Sequence, residues 1–147
     1  MTWTWNGFNQ LSTALLYDIL SLRSRIFVVE QESIYLDADG YDQEATHLSA
    51  HDDDGSLAAY LRLLPPGVKY VEPSIGRVIV APDHRGRGLG LALMRQGIHL
   101  SERLYPGLGN RLSAQFHLLD FYRSLGYRPV GEPYDEDGIP HIEMWRA

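Results

Sequence analysis

Arg77-Val78-Ile79-Val80-Ala81-Pro82-Asp83-His84-Arg85-Gly86-Arg87-Gly88-Leu89-Gly90 is the stretch from which the fold is read. An apolar, β-branched run is stopped by Pro82, which has no N–H for a sheet ladder. A glycine-rich turn then leads straight into a helical pattern through Leu89, Leu93, Met94, Gly97, Leu100 and Leu104. The first N–H groups of such a helix have no intrahelical partner and point outward together. Residues 85–90 are therefore a candidate anion site: the glycines let backbone approach phosphate oxygens, and Arg85 and Arg87 add positive charge. A nucleoside-triphosphate loop would end in Gly-Lys-Ser/Thr and a dinucleotide fingerprint would run Gly-x-Gly-x-x-Gly, and neither order is present. A purely structural glycine cap is the alternative reading.

On the N-terminal side, Trp3 and Trp5 share one face of a short extended segment. Leu11, Leu15, Ile19, Leu22 and Ile26 then recur at helical spacing through about Val29, with Asn9 or Ser12 as N-cap. A polar, acidic loop follows through Asp42. Residues 46–50 and 57–63 read as a hairpin around Asp52-Asp53-Asp54-Gly55, and residues 75–80 as a further strand. Beyond the long helix, residues 111–114 form a short strand, and Leu118, Leu119, Phe121, Tyr122 and Leu125 a helix ending at Gly126. Residues 127–130 and 139–145 form a final strand pair. Helices and strands alternate, which predicts an α/β fold with a mixed, mainly antiparallel central sheet and flanking helices.

The chain of 147 residues is expected to form one domain, 1–147, around one core. It is 44% apolar and 22% charged, close to soluble globular averages. No apolar run approaches the roughly 20 residues that cross a bilayer, and the first residues lack the basic-then-apolar order of a secretory signal, so a cytoplasmic protein is expected. The absence of cysteine removes disulfides and thiolate catalysis. A net charge of −6 argues against nucleic acid and anionic membrane as partners. The acid is concentrated: Glu30, Glu32, Asp37, Asp39, Asp42 and Glu44 occur with no Lys or Arg between them. That run reads either as a solvated face or as a source of attraction for a cationic acceptor. His47, His51 and the aspartates after them fall on a strand and turn rather than a helix, and no metal site is expected there.

Arg85-x-x-Gly88-x-Gly90 after Val78-Ile79-Val80 resembles the coenzyme-binding motif of the GNAT N-acetyltransferase superfamily, and Leu118-Leu119-x-Phe121-Tyr122-x-x-x-Gly126-Tyr127 resembles its next motif. Leu22-Arg23-x-x-x-Phe27-Val28-Val29-Glu30-Gln31, Asp37-x-Asp39, His47-Leu48, Ala114-Gln115-x-His117-Leu118 and Glu136-Asp137-Gly138-Ile139-Pro140-His141 are similar to the ElaA-type branch. The resemblance implies a splayed pair of parallel strands, 75–80 and 111–114, that admits acetyl-CoA. It implies a coenzyme site of Val78, Ile79 and Val80 along the pantetheine arm and Arg85, Gly86, Arg87, Gly88, Leu89 and Gly90 at the diphosphate. Gln115 stands where many members have Asn, one methylene longer, so its coenzyme contact is carried over only in part.

The implied reaction is transfer of an acetyl group from acetyl-CoA to an amine, on a small molecule or a peptide, by direct attack. A backbone N–H on the splayed strand, that of Val80, is the candidate oxyanion donor. Tyr122 is the candidate proton donor to the leaving thiolate, since a phenol is protonated at neutral pH; the alternative is a tyrosine completing an apolar helix face. An ordinary alkylamine, with a pKa of about 10.4, must lose a proton before attack. Glu30 at the helix end and His117 beyond the strand opposite the loop are the candidate bases. A non-catalytic acyl-CoA-binding module or sensor, or a nucleotide-binding regulatory domain, would use the same anion site.

Overall fold

The computed structural model describes the whole chain, Met1 to Ala147. Four antiparallel strands form one sheet in the order β1 (Thr2–Gly7), β2 (Thr46–His51), β3 (Leu57–Leu64) and β4 (Ser74–Val80). A second sheet has the order β5 (Asn110–Gln115), β7 (Ile139–Arg146), β6 (Arg128–Glu136), also antiparallel throughout. The expected mixed sheet is thus two antiparallel sheets set edge to edge, with β4 and β5 the parallel pair between them.

The two edges are fastened only at their base. Arg111 N–H donates to the Pro73 carbonyl at 3.0 Å, and Ile75 N–H donates to Asn110 Oδ1 at 3.4 Å. The same Asn110 oxygen accepts from the Tyr127 hydroxyl at 2.8 Å. One buried amide thus takes the backbone donor that a continuing ladder would have used, and above it the strands part.

Helix α1 (Thr13–Arg23) starts at Ser12, whose Oγ accepts from Leu15 N–H at 3.0 Å, which decides between the two predicted caps. The predicted single helix changes pitch at its end. Residues Ser24–Glu30 form a π-helix, closed by Gln31 N–H donating to Ile26 O at 3.1 Å. The wider turn keeps Ile26 buried while Phe27, Glu30 and Gln31 line the cavity described below.

Helix α2 (Leu89–Leu104) covers one face of the first sheet and α1 the other. Alternation along β3 divides the core accordingly. Ala59, Leu61 and Leu63 pack with Leu93, Met94 and Ile98 of α2, whereas Tyr60 packs with Ile19, Leu22 and Ile26. The larger cluster continues through Leu112, Ala114, Ile142 and Met144 of the second sheet and Tyr122 of α3 (Leu119–Ser124). Two apolar clusters therefore stand where one was expected, because the first sheet is covered on both faces. No helix is long and apolar enough to cross a membrane.

Candidate active site

The β3–β4 register is interrupted: Tyr60 faces Ile79, yet Arg62 faces Gly76, so β4 carries one extra residue across the bulge. Arg77, at the bulge, has φ +53°, a left-handed conformation uncommon outside glycine. Beyond the bulge, Ala81 N–H donates to Ala58 O at 2.8 Å. By the alternation of an antiparallel ladder, Val80 and Val78 turn their N–H and C=O groups to the open edge. Ile79 differs from its two neighbours: its side chain is buried in the α1 cluster and its peptide faces β3, so it supplies cavity wall and not free backbone.

At the end of β4 the turn Pro82–His84 leads into the glycine loop. Gly86 has φ +79° and Gly88, the N-cap of α2, φ +73°. A Cβ built at either meets no atom within 4 Å, so the space above the helix start is open to a ligand. Gly90 lets α2 approach β4, its would-be Cβ lying 3.7 Å from a methyl of Val80. His84 Nε2 lies 2.8 Å from Asp52 Oδ2 and ties the loop to the β2–β3 turn. That contact, ahead of the Asp53 backbone N–H, holds the Asp52 carboxyl below its usual range.

A cavity of about 700 Å³ runs from this helix start along the β4 edge and between the two sheets. Val78, Val80, Arg85, Gly90, Gln115 and Tyr122 line it, and Glu30 and His117 also reach it. Most of the sequence candidates are thus brought to one space, but Gly86, Arg87 and Gly88 lie outside its lining and the Leu89 side chain is buried in the larger core cluster. Arg85 turns back from the helix start, its Nε donating to Val80 O at 3.3 Å and its Nη2 to Glu30 Oε1 at 2.8 Å. Arg87 is exposed. Gln115 forms a reciprocal amide pair with Gln31, at 3.2 and 3.4 Å, across the cavity mouth. His117 is exposed on the rim.

Tyr122 is buried, edge-on to Phe121 and Tyr127, and burial alone pushes its hydroxyl up to about 12. It is a protonated phenol at neutral pH, able to donate and poorly able to lose its proton to water.

The acidic run has a different role from attraction. Arg23 binds Asp37 and Asp42, both at 2.7 Å; Arg62 binds Asp39 and Asp42; Arg77 binds Asp37 at 2.8 Å and Asp39 at 3.1 Å. Three arginines and three aspartates form a closed, charge-balanced ring that clamps the acidic loop onto β3 and β4. Burial would raise Asp42 and Asp39, but Arg23 and Arg62 on the first, and Arg62 and Arg77 on the second, outweigh it and hold both carboxyls low. With Glu30 engaged by Arg85 as well, the run presents little uncompensated negative charge to the cavity.

His47 is also accounted for. Its Nε2 lies 2.9 Å from the Asp42 carbonyl, which can only accept, so Nδ1 accepts from the Tyr60 hydroxyl at 2.7 Å. The sequence reading does not single out Arg77, His141 or Lys69, which are among the residues lining the cavity. Arg77 reads in sequence as one more strand position. His141 sits on β7 beside Gln115, with Nδ1 2.7 Å from Ile139 O and Nε2 3.1 Å from Glu136. Lys69 lies in the β3–β4 connection and carries no local motif.

A family model described as an acetyltransferase (GNAT) domain matches residues 26–146. The chain belongs to the GNAT acetyltransferase family. Within it, the relatives are of the ElaA type. Protein ElaA of Escherichia coli is 41% identical over 94% of this chain and 91% of its own length. UPF0039 protein sll0451 of Synechocystis is 44% identical, covering 98% of this chain and 94% of that protein. Among solved structures, an acyl-CoA N-acyltransferase from Pseudomonas aeruginosa superposes over the full length of both chains with a TM-score of 0.93 at 42% identity. This GNAT chain therefore carries an acyltransferase fold, and its β4 bulge, glycine loop and Tyr122 fall within the matched domain.

Proposed function

We propose that this protein transfers the acetyl group of acetyl-CoA to an amine by direct attack in a ternary complex. The observation that carries the reading is the open edge of β4. It faces β5 across a cavity that joins the α2 helix start to Tyr122. Outward N–H and C=O groups at Val78 and Val80 match an amide-rich pantetheine arm by the physics of strand addition. Unpaired N–H groups at the α2 start and open positions at Gly86 and Gly88 match a diphosphate.

On this reading, orientation does most of the work, since alignment of two bound reactants can supply several kcal/mol of barrier reduction. The amine nitrogen attacks the thioester carbonyl, the oxygen takes negative charge beside the Val80 N–H, and the C–S bond breaks. Tyr122 then gives its proton to the departing sulfur. The proton of the amine passes to Glu30 or His117, directly or through water, from opposite walls of the cavity. Arg85 must release Val80 O for that carbonyl to serve the pantetheine arm, which couples coenzyme entry to the Arg85–Glu30 ion pair.

An amine panel incubated with acetyl-CoA tests the reading by thiol release and by a product mass gain of about 42 Da, as replacement of one N–H proton by acetyl requires. Binding of acetyl-CoA with no thiol release from any amine would instead identify a non-catalytic acyl-CoA-binding module.

A further inference from the structure

Of the 13 basic Lys and Arg residues only one, Lys69, is a lysine. It lines the large cavity, as do Arg62, Arg77 and Arg85. Each of those three arginines is bound to carboxylates of the chain itself, whereas no carboxylate lies within ion-pair distance of Lys69. Its Nζ stands 5.7 Å from the Tyr70 ring centroid, a contact that leaves the ammonium protons free. Among the lining acids, Glu30, Asp39 and Glu136 are likewise paired, with Arg85, with Arg62 and Arg77, and with His141. Asp137, exposed at the β6–β7 turn, is the unpaired one.

Position separates Lys69 from the coenzyme. The connection that carries it is folded by Gly67 N–H donating to Tyr70 O at 2.7 Å, and it enters β4 at Ser74. The coenzyme loop lies at the other end of that strand. From Ser74 to Val78, just past the bulge, four residues span about 13 Å at the usual strand rise. Lys69 thus stands at the far end of the cavity from the diphosphate cradle, on the side left for the acceptor.

We infer that Lys69 anchors a carboxylate on the acceptor, so that the substrate is an amino-acid-like amine rather than a simple cationic amine. The inference rests on the transferase reading above. A single, flexible ammonium suits a monoanion, whereas a phosphate dianion is better matched by a planar guanidinium fork or a helix start, and here the cavity arginines are already engaged. The carboxylate sits at Lys69 and the chain of the acceptor spans toward the bulge, leaving the amine beside the thioester.

The test is thiol release from acetyl-CoA with α- and ω-amino acids, each beside its own carboxamide, which keeps size and removes the charge. Phosphoethanolamine beside ethanolamine forms the phosphate arm. The expected result is at least about a tenfold higher kcat/KM for the acids, the scale of a charge-assisted contact, with no comparable gain in the phosphate arm. Lys69→Met should bring that ratio to near one with acetyl-CoA affinity kept, and Lys69→Arg should keep most of it. Carboxamides used as well as acids, a preference untouched by Lys69→Met, or a larger gain in the phosphate arm would each overturn the assignment. Binding of acetyl-CoA with no thiol release from any member would remove the transferase reading, and this inference with it.

Discussion

Arg77 holds Asp37 through an Nε–Oδ1 contact of 2.8 Å while its own backbone stands at φ +53° in the β4 bulge. The side chain that closes the ionic ring thus belongs to the residue whose strained conformation opens the sheet.

Comparison of Arg77→Ala with Arg77→Gly separates these two roles. Both lose the guanidinium, but only glycine adopts the left-handed conformation without steric cost, so the Gly variant should be more stable by about 1 kcal/mol. Both should be less stable than the parent by about 1–3 kcal/mol, the scale of lost hydrogen bonds to a charged group. Urea unfolding measures this, and equal stability of the two variants would show that the bulge carries no strain.

Acid should unfold the protein through the same ring. Asp39 and Asp42 have folded pKa values below their ordinary ones. Their stabilisation is therefore fully present above the usual carboxylate range and is lost as pH falls through the folded values. Thermal scans should give a flat Tm near neutrality and a steep decline below about pH 4. Asp42→Asn should be less stable at neutral pH and show a shallower decline.

Gly88→Val places a β-branched side chain at φ +73°, in the open space above the α2 start. Acetyl-CoA affinity should fall about tenfold or more, equivalent to about 1.4 kcal/mol, with the circular dichroism of a folded protein retained. Titration calorimetry reads the outcome, and parental affinity in a folded variant would remove the proposed diphosphate cradle.

Tyr122→Phe keeps the ring and its edge-on packing and removes the proton. It should bind acetyl-CoA as the parent does and turn over about 10²-fold more slowly. A donor fails only when it is deprotonated, above its pKa. With the hydroxyl pushed up to about 12, kcat should show no alkaline fall from this group up to about pH 10. Single-turnover transfer at the parental rate in the Phe variant would make Tyr122 a packing residue.

His84 and Asp52 offer a test of loop positioning. Asp52→Asn weakens the contact that fastens the glycine loop to the β2–β3 turn. Acetyl-CoA affinity should fall by a few-fold with little change in Tm, because Asp52 sits at a partly exposed turn outside both apolar clusters. A matching loss in His84→Ala, with no further loss in the double variant, would show that the two act as a pair.

Most elements were legible in the sequence because their causes are local. The α1 cap needs only Ser12 three residues before Leu15; the β6–β7 turn needs only Asp137 and Gly138, both at positive φ, although β6 runs on to Glu136, beyond the expected end at Val130; the α2 start needs only Pro82 and the glycines before Leu89. The glycine loop was legible as a site for the same reason, since φ > 0 and unpaired helix N–H groups follow from neighbours in the chain. The position of Arg85 next to the loop follows from the chain, but the direction of its side chain depends on Glu30, 55 positions away.

Periodicity, caps and turn residues act over a few positions, so the order of helices and strands and the glycine turn before α2 follow from local sequence. Tertiary structure alone decided the rest. The acidic run became the neutral half of an ionic ring because Arg23, Arg62 and Arg77 come from three different elements, and only folding brings their guanidinium groups to the same carboxylates. The splay arose because Asn110 accepts the Ile75 N–H at the base of two strands 35 residues apart. Lys69 became the unpaired cation of the cavity only once every other lining Lys or Arg had found its acid, a property of the whole set of contacts that no single segment contains.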